Sequence, residues 1–147
     1  MTIKKVFFDA NIFNDIFDEN RKTHMASNTA YLGALKRGIS IYTSCDIATN
    51  IYYITAKYTS RENALNAIDF LKTSVSIIPF GETELTSTID LMRKDADYKD
   101  LEDTIQYTMA LNEKCEIIVT NDKRFVSKEI ECMSSEKFVK TFISELS

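Results

Sequence analysis

The chain has 147 residues, with 44% apolar and 27% charged, which is enough to bury a core and suits a single domain spanning residues 1–147. Three glycines and one proline argue against an all-β fold built on tight turns. A net charge of −4 lacks the basic surplus usual in nucleic-acid binders, and one histidine with three cysteines outside C-x-x-C spacing argues against zinc.

The elements alternate. Ile3 to Phe8 reads as a central parallel strand, apolar on both faces. Asp9 to Phe17 is a strand-exit turn and helix, with Ile12, Ile16 and Phe17 on one side, and residues 18–23 form a polar link ending in the candidate cap Thr23. A helix runs from His24 to Lys36 and stops near Gly38, and Ile39 to Thr43 is a second strand. Ser44 or Asp46 caps the next helix, whose stripe is Ile47, Ile51, Ile54 and Tyr58. Ser60 opens another, with Ala64, Leu65, Ile68 and Leu71 inward. Val75 to Pro79 is a third strand, the proline tolerated at its end. Thr83 to Asp95 is helical with Leu85, Ile89 and Met92 on one face, then a polar break leads to a helix opened by Asp100. Glu116 to Thr120 is a fourth strand, Lys123 to Val126 a short helical turn, and Ile130 to Met133 a weak fifth strand. Ser134 or Ser135 caps a last helix carrying Phe138, Val139, Phe142 and Ile143 inward. This alternation predicts an α/β fold: a three-layer α/β/α sandwich around a mostly parallel sheet of about five strands.

Four acids recur at places where such a sheet presents chemistry. Asp9 ends the first strand, and Asn11 beside it suits a strand-exit turn. Asp122 repeats the pattern after the fourth strand, which opens on the same sheet edge. Asp100 and Asp103 lie at i and i+3 on one helix face, about 5–6 Å apart at Cβ. Glu102, between them, is expected to point elsewhere. Each acid has a structural explanation as a helix cap or first-turn residue. Together they point to a cation, because carboxylates about 4 Å apart repel by about 4 kcal/mol at an effective dielectric near 20. Oxygen ligands in this number suit Mg²⁺ or Mn²⁺. Without a serine–histidine pair or a glycine-rich phosphate loop, metal-assisted hydrolysis is the chemistry left open.

Four stretches in order, Phe-Phe-Asp-Ala-Asn-Ile-Phe, Thr-Ser-Cys-Asp-Ile-Ala-Thr-Asn-Ile-Tyr-Tyr-Ile, Lys-Asp-Leu-Glu-Asp-Thr-Ile-Gln-Tyr and Ile-Val-Thr-Asn-Asp-Lys-Arg-Phe, resemble the PIN domain family, and in particular its VapC-like toxin branch. The resemblance spans nearly the whole chain. It implies a metal-dependent endoribonuclease, the toxin of a toxin–antitoxin pair. The family's acids fall on Asp9, Asp103 and Asp122, with Asp100 beside them and Thr120 as a hydroxyl behind the ligands. Two positions depart from the family pattern. Asn50 stands where many PIN nucleases carry a glutamate, its amide oxygen available to orient a water or metal, and Asp46 lies one turn earlier. Ala10 replaces a common serine or threonine.

The implied mechanism uses Asp9, Asp100, Asp103 and Asp122 to hold Mg²⁺ or Mn²⁺, with RNA gripped by basic residues on the rim. Lys99, Lys123 and Arg124 are the candidate phosphate contacts, or ordinary surface charge. A cognate antitoxin and a homodimer are family expectations, and Tyr52, Tyr53 and Tyr58 are either the surface for such partners or core-edge residues. The first apolar run is too short for a signal peptide or membrane span, so a cytoplasmic protein without a membrane partner is expected. Competing readings are a PIN-like RNA- or protein-binding module that lost its glutamate, a haloacid-dehalogenase-type phosphatase, and a receiver domain. The phosphatase needs a second acid where Asn11 stands, and the receiver needs an acidic pair beside Asp9.

Overall fold

Val6, Phe7 and Phe8 have no exposed surface, so strand β1 (Lys5–Phe8) can only lie in the middle of a sheet covered on both faces. The computed structural model describes residues 2–144. From β1 the chain continues through α1 (Ala10–Ile16), α2 (His24–Lys36), β2 (Ser40–Ser44), α3 (Ile47–Tyr58), α4 (Arg61–Ser74), β3 (Ser76–Ile78), α5 (Glu82–Lys94), α6 (Leu101–Asn112), β4 (Ile117–Val119), β5 (Glu131–Met133) and α7 (Ser135–Phe138), which runs on as a π-helical segment, Val139–Ile143.

The five strands are all parallel, in the order β3-β2-β1-β4-β5. The chain therefore moves outward from β1 to β3, then resumes on the other side of β1 at β4. Such a reversal leaves a crevice at the C-terminal ends of the two strands that flank it. Helices α1 to α4 pack on one another, and α5 packs on α6, the grouping that right-handed crossovers on either side of β1 require. Helix α7 and the π-helical segment return to lie against α2. That approach needs Gly33: a Cβ there would stand 2.3 Å from Ile143 Cγ2.

The three-layer sandwich expected from the sequence is the fold observed. Four side-chain caps form as helix starts require: Asp9 accepts from the Ala10 N–H, Ser60 from Asn63, Asp100 from Asp103 and Ser134 from Lys137. Four expectations are corrected. Thr23 makes no capping bond. Residues 123–126 form a turn instead of a helical turn, because the Asp122 carboxylate accepts the Arg124 N–H at 2.9 Å and the Phe125 N–H closes on the Asp122 carbonyl at 3.1 Å. Strand β3 spans three residues, with Val75 spent on capping α4. Leu65, expected inward, is exposed, as are Leu85 and Ile89 of the apolar face read on α5 and Tyr58 of the stripe on α3, and Thr88 and Thr55 are buried on α5 and α3.

Candidate metal centre and cleft

The register pairs Phe8 with Val119, so the residues that follow, Asp9 and Thr120, are neighbours at the sheet edge. The Asp9 N–H donates to the Val119 carbonyl at 3.0 Å and continues the ladder one step beyond the strand. Asp9 is 5% exposed. Its Oδ1 accepts from the Ala10 N–H at 2.7 Å, and its Oδ2 accepts from the Thr120 hydroxyl at 2.7 Å and Asn11 Nδ2 at 3.0 Å. Burial pushes the Asp9 carboxyl up; the Thr120 hydroxyl and Ala10 N–H pull it back, and the charge on Asp122 pushes it up again.

Thr120 ties the floor together. Its oxygen also accepts from Asn11 Nδ2 at 3.1 Å and from the Asp122 N–H at 3.1 Å. Asn11 in turn accepts the Asn121 N–H on its Oδ1 at 3.0 Å. The strand-exit turn after β1 and the one after β4 are therefore fastened to each other.

The wall is the head of α6. Asp100, Asp103 and Asp122 line one cleft of about 660 Å³, together with Lys99, Thr104, Arg124 and Val126. Asp103, half-buried, has its carboxyl raised to about 7, first by burial and then by the charges of Asp9, Asp100, Asp122 and Glu102. Glu102 is also raised, by partial burial and then by Asp46, Asp100 and Asp9. Glu102, expected to point elsewhere, is exposed and outside the cleft lining, yet it still feels the charge of Asp46 from the turn after β2. Asp46 forms no side-chain cap; its carboxylate takes the Ser44 hydroxyl instead.

Asn50 lies on α3, where its Oδ1 accepts from Asn14 Nδ2 at 3.0 Å. The buried Asn14 Oδ1 has no partner. The oxygen at position 50 is therefore engaged by α1, and a carboxylate there would accept the same bond.

Of the basic candidates, Lys99 and Arg124 stand on the cleft and Lys123 is exposed outside its lining. Arg124 Nε lies 3.4 Å from Asp122 Oδ1 on a side chain 92% exposed. The mouth is stitched shut on one side. Lys128 Nζ reaches Asp95 and Asp97, each at 2.8 Å, and the Tyr98 and Tyr107 hydroxyls accept the N–H groups of Lys128 and Glu129 at 3.1 and 3.2 Å.

The donor set fits a divalent cation. Among the described residues no three acidic, histidine or cysteine groups are already drawn together as a finished cage. Burial first, and then the charges of Asp9, Asp100, Asp122 and Glu102, raise Asp103 to about 7, and it is that second, repulsive part that a hard cation would relieve.

A family model described as PIN domain matches residues 6–130, from β1 to the approach of β5. Ribonuclease VapC1 of Aquifex aeolicus (strain VF5) is 41% identical over 138 residues, covering 94% of this chain and 95% of that protein. VapC20 of Mycobacterium tuberculosis, described as a Sarcin-Ricin loop cleaving toxin, superposes with a TM-score of 0.65 at 11% identity over 77% of this chain and 86% of that one. VapBC2 from Rickettsia felis, bound to a DNA fragment from their promoter, gives 0.63 at 18% identity over 87% and 98%. A toxin–antitoxin complex from Klebsiella pneumoniae gives 0.64 at 17% identity over 88% and 97%. At these identities the three structures bear on the fold alone. The family model and the VapC1 relative go further: the chain belongs to the PIN domain family.

Proposed function

We propose that the chain is a metal-dependent endoribonuclease of one domain, the toxin of a toxin–antitoxin pair, acting with Mg²⁺ or Mn²⁺. The observation that carries this reading is that Asp9, Asp100 and Asp122 all bear on the half-buried Asp103 at the β1–β4 crevice, where burial first and then their charges raise its carboxyl to about 7. Its support from relatives is Ribonuclease VapC1.

Asp9, Asp103 and Asp122 would hold the ion, with Asp100 adjacent. The ion, when bound, supplies Lewis-acid chemistry, neutralising charge on the phosphodiester and making water a better nucleophile. The chain's own work is placement. Asp9, fixed by three hydrogen-bond donors, is the rigid anchor. Asp103, from the head of α6, and Asp122, from the turn after β4, both line the cleft. Thr120 keeps the Asp9 carboxylate oriented. Lys99 and Arg124 offer positive charge on the rim for RNA phosphates, with Lys123 further out.

An antitoxin partner is proposed from the complexes among the structural neighbours, and a homodimer from the family. The outer face of α3 and α4, where Tyr53, Tyr58 and Leu65 are exposed beside Tyr52, is the apolar surface offered for protein contact. Among the described residues no helix is long and apolar enough to cross a membrane, and we place the protein in the cytoplasm.

One observation favours a second reading, a PIN-like binding module without catalysis: Asn50 replaces the family's glutamate and is already bonded to Asn14. Cleavage of RNA by wild type and by Asp9→Asn, in Mn²⁺ and in EDTA, separates the two. Metal-dependent cleavage by wild type alone supports the nuclease. RNA binding with no cleavage in Mn²⁺ supports the module.

A further inference from the structure

Asp15 is a buried carboxylate that the cleft does not use. It lies near the end of α1 and is 1% exposed. Its Oδ1 accepts from Arg21 Nε at 2.8 Å. Its Oδ2 accepts from the Ser27 hydroxyl at 2.6 Å and from Asn121 Nδ2 at 2.9 Å. Ser27, on α2, and Ser135, at the start of α7, have no exposed surface, and since the one Ser27 proton goes to Asp15, the Ser27 oxygen accepts from the Ser135 hydroxyl at 3.0 Å.

Asn121 is the hub. Its Nδ2 also donates to Ser135 Oγ at 3.1 Å, and its Oδ1 accepts the Ser135 N–H at 3.0 Å. Its own backbone N–H is held by Asn11 Oδ1 at 3.0 Å. Both ends of the amide and the main chain are therefore fixed, by groups from α1, α2 and α7. Burying a carboxylate and two hydroxyls is costly compared with an apolar filling of the same volume. Here the cost falls at the one residue between Thr120, which orients Asp9, and Asp122.

We infer that Asn121, clamped by Asp15, Ser27 and Ser135, is a positioning residue that sets the Asp122 carboxylate for the metal. The inference rests on the metal-site reading proposed above. Asp15 touches neither cleft nor ion; it acts through Asn121. Groups that orient a ligand from behind govern affinity, and their loss typically weakens metal binding by about 10- to 100-fold.

The test is Mn²⁺ affinity of the full chain, read from the spin-resonance signal of free Mn²⁺, beside thermal unfolding. Asn121→Ala is expected to weaken Mn²⁺ binding by about 10-fold or more. Ser135→Ala, which leaves the Ser135 N–H bonded to Asn121, is expected to weaken it a few-fold. Leu71→Ala, which removes a core side chain of α4, is the control: it lowers the unfolding temperature and keeps wild-type affinity. Wild-type affinity in Asn121→Ala, whatever its stability, would overturn the inference. If Asn121→Ala does not fold, Ser135→Ala decides by the same criterion. A wild type that binds no Mn²⁺ would instead sink the metal-site reading and carry this inference with it.

Discussion

The floor and the wall of the cleft use the same chemical group in opposite ways. On the floor, the buried Asp9 carboxylate receives three hydrogen bonds, from Ala10, Asn11 and Thr120. On the wall, every charge acting on the Asp103 carboxylate is negative. The floor is completed by folding, since its donors come from the strand ends that build the sheet. The wall is completed only when positive charge arrives. A protein that must bind a cation reversibly needs both: one acid that does not move, and others whose repulsion a cation relieves.

The largest effect should come from the anchor. Asp9→Asn is expected to reduce RNA cleavage by at least about 100-fold, measured at saturating Mn²⁺. Cleavage undiminished by this change would break the comparison at its base. Next is Thr120→Val, which keeps the shape and removes the hydroxyl shared by Asp9, Asn11 and the Asp122 N–H. It should cost about 1–3 kcal/mol in chemical denaturation, because the buried groups lose a partner.

The wall should answer with the opposite sign. Asp103 takes up its proton near pH 7 when folded and near its ordinary value of 3.8 when unfolded. Between those values the folded state binds more protons, so metal-free stability should fall as pH rises from about 4 to 7. Asp103→Asn should flatten that slope and raise metal-free stability at pH 8 by about 1 kcal/mol, allowing for solvent screening of a half-buried group. Urea titrations at several pH values in EDTA check the sign; a wild-type slope that rises over this window would contradict it. The smallest effect belongs to Lys128→Ala. It removes two solvent-screened ion pairs and leaves both tyrosine hydroxyl bonds, so the unfolding midpoint in urea should stay within the error of wild type at physiological salt.

The floor was largely legible in the sequence. Apolar runs ending at Asp9 and Asp122 mark strands by local composition. The wall was legible only in part. Reading α6 as an isolated helix groups Asp100 with Asp103 and sends Glu102 elsewhere. Only the packed sheet brings the charge of Asp46, from a turn more than fifty residues earlier in the chain, to act on Glu102. The exposed Leu65 and Leu85 fail for a related reason: periodicity shows which face is apolar, not whether another element covers it. Asn14 and Asp15, polar yet buried on α1, carry no local signal at all, since their partners Asn50 and Asn121 are set by tertiary structure.

The pairing of Phe8 with Val119 also limits how such a chain can change over generations. The two strands act as a ruler with Asp9 and Thr120 at the same mark. Side chains on a strand alternate between faces, so one residue inserted within 117–119 would carry Thr120 to the wrong side and leave Asp9 without its hydroxyl. Loops at 18–22 can lengthen or shorten without moving that mark. Lineages descending from such a sequence should therefore accumulate insertions in the connections and almost none in these short strands.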